Sequence, residues 1–144
     1  MIFSIENIAA KLQDRLSNQK YYFVDNGLLN LFLFDGSKSL LENIVAIFLR
    51  EKYGDDVFYY NDNVEVDFCL LEHCQAIQVA FSVQDARTCE RETRALVAYN
   101  RRFPDSRLMI LTMDEERDIE VDGCHIEIRP VWKWMLCSDD RVNR

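Results

Sequence analysis

The sequence predicts an α/β domain: a mixed central sheet, made of a three-strand meander plus a crossover strand, flanked by helices and closed by a C-terminal hairpin and short helix. Three observations carry this. Residues 35–54 repeat apolar side chains at helical spacing, and residues 57–83 hold three short segments rich in β-branched and aromatic residues with turn signals between them. A polar helical stretch at 85–103 then leads into the continuous apolar run RLMILTM, the pattern of a βαβ crossover.

Taken in order, FSIENIAAKLQDRLSN repeats Ile5, Ile8, Ala9, Leu12 and Leu16 at helical spacing and predicts a short amphipathic helix. KYYFVDNGLLNLFLF, aromatic and apolar around a turn-prone Asp-Asn-Gly, suits a strand leading into a buried turn or helix. In the helix that follows, Leu40, Leu41, Ile44, Val45, Phe48 and Leu49 form one apolar arc and Gly54 ends it. Ser39 and Glu42 have the spacing of a capping box, in which each side chain satisfies a free N–H of the first turn. VFYYND, VEVDFCLL and QAIQVAFSV read as the meander, DARTCERETRALVAYNRRF as the crossover helix, and RLMILTM as a buried, parallel strand. IEVDGCHIEIRP alternates on both sides of Asp122-Gly123, a strong hairpin signal, and PVWKWML starts a helix at its proline.

With 144 residues, 49% hydrophobic and 29% charged, the chain has the size and composition of one folded domain. Its net charge of -8 opposes binding to a polyanion unless basic residues gather on one face. The five cysteines are odd in number and form no CxxC or zinc-like spacing, which points to reduced structural thiols. No apolar run approaches the ~18 residues of a membrane span and the N-terminus carries no signal-peptide pattern, so a cytoplasmic protein is expected.

The hairpin NVEVDFCLLEHCQAIQVAFS concentrates the chemistry. Strand alternation places Glu65, Asp67, Cys69 and Leu71 on one face and Val64, Val66, Phe68 and Leu70 on the other, with Asp67 opposite Gln78 or one diagonal step away. Glu42 lies at the edge of its helix's apolar arc, within reach of that sheet. A Mg²⁺-dependent phosphodiesterase needs a helix carboxylate, a strand aspartate, and an acidic or amide residue two positions before a lysine on the next strand. This chain offers Glu42, Asp67 and Gln78 in those places, with Ala80 where the lysine would stand. Capping alone accounts equally for Glu42, and an edge-strand polar position for Asp67.

Arg87, Arg91 and Arg94 recur on the crossover helix as a phosphate-facing stripe, or as a solvated face neutralised by Asp85, Glu90 and Glu92. Of Trp132 and Trp134, one is expected in the core, while the other is a contact for a partner or simple packing. His73 and His125 are expected too far apart for a catalytic pair, and Cys89 is expected to be an idle thiol.

At these residues the sequence resembles a known family, the PD-(D/E)xK nuclease-like domain at the C-terminal end of many bacterial and archaeal AAA-type ATPases. The pieces that carry the resemblance are KYYFVDNGLLN, LLENIVAIFLR, VFYYNDNVEVDFCL, AIQVAFSV, ERETRALVAYN, LMILTMDEERDIEVDG and IRPVWKWML, in the family's order over residues 2–137. The resemblance implies a restriction-endonuclease-like core, with Glu42, Asp67 and Gln78 at the catalytic and metal-binding positions and Ala80 at the lysine position. It implies a connector helix at 1–19, the nuclease-like domain at 20–137 and a polar tail at 138–144. Members usually carry an upstream ATPase module, and with no GxxxxGK[ST] here the chain reads as a piece of such a protein that binds no ATP. The expectation is a catalytically degenerate accessory or recognition domain that needs no cofactor and binds DNA or a protein partner. The alternatives are an active endonuclease using Mg²⁺, with Arg87 or Arg91 replacing the lysine, and a module that binds protein alone.

Overall fold

The computed structural model describes residues 1–27 and 37–139. The strands are β1 (Ile2–Asn7), β2 (Lys20–Phe23), β3 (Phe58–Asp62), β4 (Val64–Leu70), β5 (Gln75–Val79), β6 (Arg107–Thr112), β7 (Arg117–Val121) and β8 (Cys124–Pro130). The helices, numbered along the described chain, are α1 (Leu12–Arg15), α2 (Ser37–Tyr53), α3 (Ala86–Arg102) and α4 (Val131–Asp139). All eight strands join one mixed sheet in the order β2-β1-β3-β4-β5-β6-β8-β7.

The α/β class stands, and the meander β3-β4-β5 pairs antiparallel as the turn signals predict. The crossover through α3 brings β6 parallel to β5, and β8 lies parallel to β6. β5 and β6 are buried on both faces and read as largely apolar runs, whereas β8 alternates, burying Ile126 and Ile128 and turning His125, Glu127 and Arg129 outward. On one side Leu41, Val45, Ala46 and Leu49 of α2 and Trp134 of α4 pack on Phe68, Leu70, Ile77, Val79, Met109 and Leu111. On the other, Ala95, Leu96 and Tyr99 of α3 pack on Val66, Cys69, Ala76, Leu108, Ile110, Ile126 and Ile128. Two cores on opposite faces of one sheet make a three-layer domain.

Four expectations differ from this arrangement. The helix expected from residue 3 to 18 is a strand, β1, followed by the single turn α1. Sheet pairing overrides the helical spacing: β1 lies between β2 and β3, and Ile5 is fully buried. The residues assigned to a connector helix thus supply a strand of the same sheet. Second, α2 already runs from Ser37, so Ser39 stands inside its first turn and Glu42 turns to Tyr22 instead of capping. Third, strict alternation along β4 fails. Between the pairs Phe58↔Cys69 and Tyr60↔Val66, Asp67 and Phe68 of β4 face the single Tyr59 of β3, a β-bulge. Beyond it Phe68 and Leu70 enter the α2-side core, while Val66 and Cys69 enter the α3-side core. Fourth, Glu92, expected on a solvated face, is buried. The expected turn or helix at residues 28–34 and most of the tail at 138–144 lie outside the described residues.

The local signals elsewhere hold. Asp85 caps α3, its carboxylate accepting from the Thr88 N–H at 2.9 Å. The β7–β8 turn places Asp122 and Gly123 at positive φ, 49° and 78°, as a two-residue hairpin of this twist requires. Trp134 is the core tryptophan, edge-on to Phe48, and Trp132 is exposed. His73 and His125 lie apart, in the β4–β5 turn against Asp56 and on β8 against Asp118 and Glu120. The five cysteines are free thiols, with Cys69 buried and Cys89 half-buried. Among the described residues no helix is long and apolar enough to cross a membrane.

Candidate functional site

The bulge in β4 sets the site. Phe68, Cys69 and Leu70 pair in register with Ile77, Ala76 and Gln75. One step further Asp67 stands across from Gln78, and there side chains replace the backbone ladder. The Asp67 N–H donates to Gln78 Oε1 at 2.8 Å, Gln78 Nε2 donates to the Glu65 carbonyl at 2.9 Å, and the Val79 N–H donates to Asp67 Oδ2 at 2.8 Å. A bulge leaves backbone groups without ladder partners, and a buried N–H or C=O left so is costly. The Gln78 amide, 2% exposed, serves the buried Asp67 N–H as acceptor with its oxygen and the part-buried Glu65 carbonyl as donor with its nitrogen.

The two residues therefore do not share a face. Gln78 lies with Ala76 and Ala80 on the α3 side, and Asp67 looks toward α2 and β2. Ala80 is itself 3% exposed in the α3-side core, its N–H donating to the Leu111 carbonyl. A cation at that position would be buried among apolar side chains.

A lysine comes instead from β2. The Lys20 ammonium contacts Glu65, lies 3.7 Å from Asp67 Oδ1 and 3.9 Å from Glu42 Oε1, and sits over the Tyr59 ring. Glu42 Oε1 also accepts from the Tyr22 hydroxyl at 2.7 Å. Strand alternation places Lys20 and Tyr22 on one face of β2, so α2, β2 and β4 converge on this group. Burial pushes the Asp67 carboxyl up to about 7, helped by the Glu42 charge and opposed by Lys20, Lys38 and the Val79 N–H. Burial pulls the Lys20 ammonium down, but the carboxylates of Asp67, Glu65 and Glu42 together hold it above its ordinary value. Burial and the Glu42 charge push the Tyr22 phenol far up, keeping it a neutral donor.

Beside this group lies a cavity of about 330 Å³. Lys38 of α2, the stretch from Asn63 to Glu65, Asp67 and Gln78 form part of its wall, and Arg91, Glu92, Arg94 and Ala95 of α3 form the rest. Asp67, Gln78, Arg91 and Arg94 thus meet at one cavity, Glu42 reaches it through Lys20, and Arg87 is outside its wall. Sequence reasoning missed Lys20, Lys38 and Glu92. For Lys20 the signal was present, a lysine two residues from a tyrosine on a strand, whereas the burial of Glu92 depends on how α3 rolls onto the sheet.

The donor set does not fit a divalent cation. Gln78 is committed to backbone groups, Asp67 Oδ2 to the Val79 N–H, and an ammonium stands among the remaining carboxylate oxygens. Among the described residues no group of three or more His, Cys, Asp or Glu side chains is placed to hold a metal ion. Comparison of the chain with protein-family models, with curated proteins and with solved structures found no match.

Proposed function

We propose that this chain is a nuclease-like domain with a restriction-endonuclease-like core that binds and does not cut, the accessory or recognition part of an AAA-type ATPase. The observation that carries this reading is the amide of Gln78, both ends of which are bonded to the backbone of β4. A motif residue so used is unavailable to a hard cation, and Ala80, inside the α3-side core, is no substitute for a lysine. What survives is a cleft with Arg91 and Arg94 at its wall, suited to an anionic partner such as DNA. The test is incubation with linear and branched DNA in Mg²⁺ or Mn²⁺, alongside a gel shift at graded salt. Salt-sensitive binding without strand cleavage is expected. Metal-dependent cleavage that Asp67→Ala abolishes would overturn the reading.

One observation favours the alternative of an active endonuclease. Lys20 brings an ammonium to Asp67 and Glu42 from another strand, so it, and neither Arg87 nor Arg91, is the basic residue positioned to replace the one lost at Ala80. On that reading Lys20→Gln and Asp67→Asn each abolish cleavage by the wild-type chain.

A further inference from the structure

We propose that the cavity between α2 and α3 holds a phosphate group without a metal ion, gripped by Lys38 from one side and Arg94 from the other. The inference rests on reading the cleft as a binding site and names the chemistry it takes.

The charges at the cavity divide unequally. Glu65 and Asp67 face Lys20, and Glu92, 3% exposed, is held by Arg91 through two contacts to the same oxygen, at 2.8 and 3.3 Å. Lys38 and Arg94 also line the cavity, both are exposed, and neither has a hydrogen-bond or ion-pair partner among the described residues. Lys20 is shared by Glu42, Glu65 and Asp67, and Lys38 acts on Asp67 only at longer range. The two cations at the cavity that are held by no hydrogen bond or ion pair among the described residues thus come from two different helices. A guanidinium fork and an ammonium point charge are the pair that grips a phosphate, and among the described residues neither must break an existing bond to do so. Because Arg91 is tied to buried Glu92, it shapes the wall while Arg94 stays available. At about 330 Å³ the space admits a phosphate with part of what it is attached to. The phosphate belongs either to a nucleic-acid backbone or to a small molecule. Binding of the former is expected to weaken as salt rises, because Lys38 and Arg94 displace counter-ions from the backbone phosphates.

The experiment is calorimetric titration of the full chain in EDTA with inorganic phosphate, adenosine 5′-monophosphate and a single-stranded oligonucleotide. Wild type, Lys38→Gln, Arg94→Gln and Arg87→Gln are compared, each checked for folding by circular dichroism. At least one phosphate probe is expected to bind wild type in EDTA. Lys38→Gln and Arg94→Gln should each weaken it about tenfold or more, and Arg87→Gln, outside the wall, should not weaken it. Binding of the oligonucleotide alone identifies a polynucleotide phosphate; competition by inorganic phosphate identifies a site that free phosphate also enters. Failure of every probe to bind in EDTA, or affinities unchanged in both cation variants, overturns the inference. Metal-dependent DNA cleavage, by contrast, overturns the reading of the cleft as non-cutting and is not what these titrations measure.

Discussion

Gln78 makes two bonds that a regular strand makes through its own backbone, and that role fixes what its replacement costs. Gln78→Ala leaves the buried Asp67 N–H without a partner and the part-buried Glu65 carbonyl to water, so a loss of roughly 2 kcal/mol is expected in urea unfolding. A loss under about 0.5 kcal/mol would mean that the bulge repairs itself. Asp67 sets a pH dependence. Its folded value near 7 lies above its ordinary value, so its contribution to stability is full below about 3.8 and is lost as pH rises through 7. Asp67→Asn removes that titration, and its stability relative to wild type is expected to climb between pH 5 and 8 in thermal melts. No climb would place the carboxyl in the ordinary range. Alternation made Asp67 and Gln78 legible in the sequence as a pair, but their bonds were not, because the bulge that calls for them is a matter of register between β3 and β4.

Among local signals the cap of α3 and the β7–β8 turn were read correctly and the capping box at Ser39 and Glu42 was not, while β1 was misread because strand pairing decides it. The cap of α3 and the Asp122-Gly123 turn depend on a few neighbouring residues, which is why a sequence pattern finds them. β1 has helical spacing and becomes a strand because two neighbouring strands offer it hydrogen bonds, a condition set by residues as distant as Phe58 and Tyr59. At the hairpin β7–β8 a further prediction arises. His125 bonds Glu120 through Nδ1 at 2.6 Å and meets Asp118 through Nε2 at 3.1 Å, and the Glu120 bond comes first among the causes that raise its pKa. Its contribution to the hairpin is full below about 6.5 and is lost as pH rises through the raised value. NMR titration should find the imidazole above 6.5 in wild type and lower in Glu120→Gln. An unchanged value in that variant would remove Glu120 as the cause.

At the scale of the molecule, the layers and the crossover were legible because β5 and β6 bury apolar residues on both faces and α3 carries a cap and an apolar stripe. The position of β2 was not, and it decides what stands beside Asp67. Among the described strands β2 is an outer one whose neighbour is β1, and β1 meets β3 through the pairs Glu6↔Phe58 and Asn7↔Tyr59, with the Ile8 N–H donating to the Tyr59 carbonyl just beyond. Asn7 strengthens that seam by bonding both the N–H and the carbonyl of Asn61, and Asn43 of α2 holds the Phe23 backbone from the other side. The β1–β2 pair is thus a leaf stitched along a short margin, and amide exchange there is expected to outpace exchange in β4, β5 and β6 by about tenfold or more. Equal protection would make the leaf part of the central slab. When the leaf lifts, it carries Lys20 away with it. A carboxylate deep in the fold then loses its counter-ion to the motion of the chain's first two dozen residues, so whatever grips or tugs that end also sets the charge at the centre of the cleft.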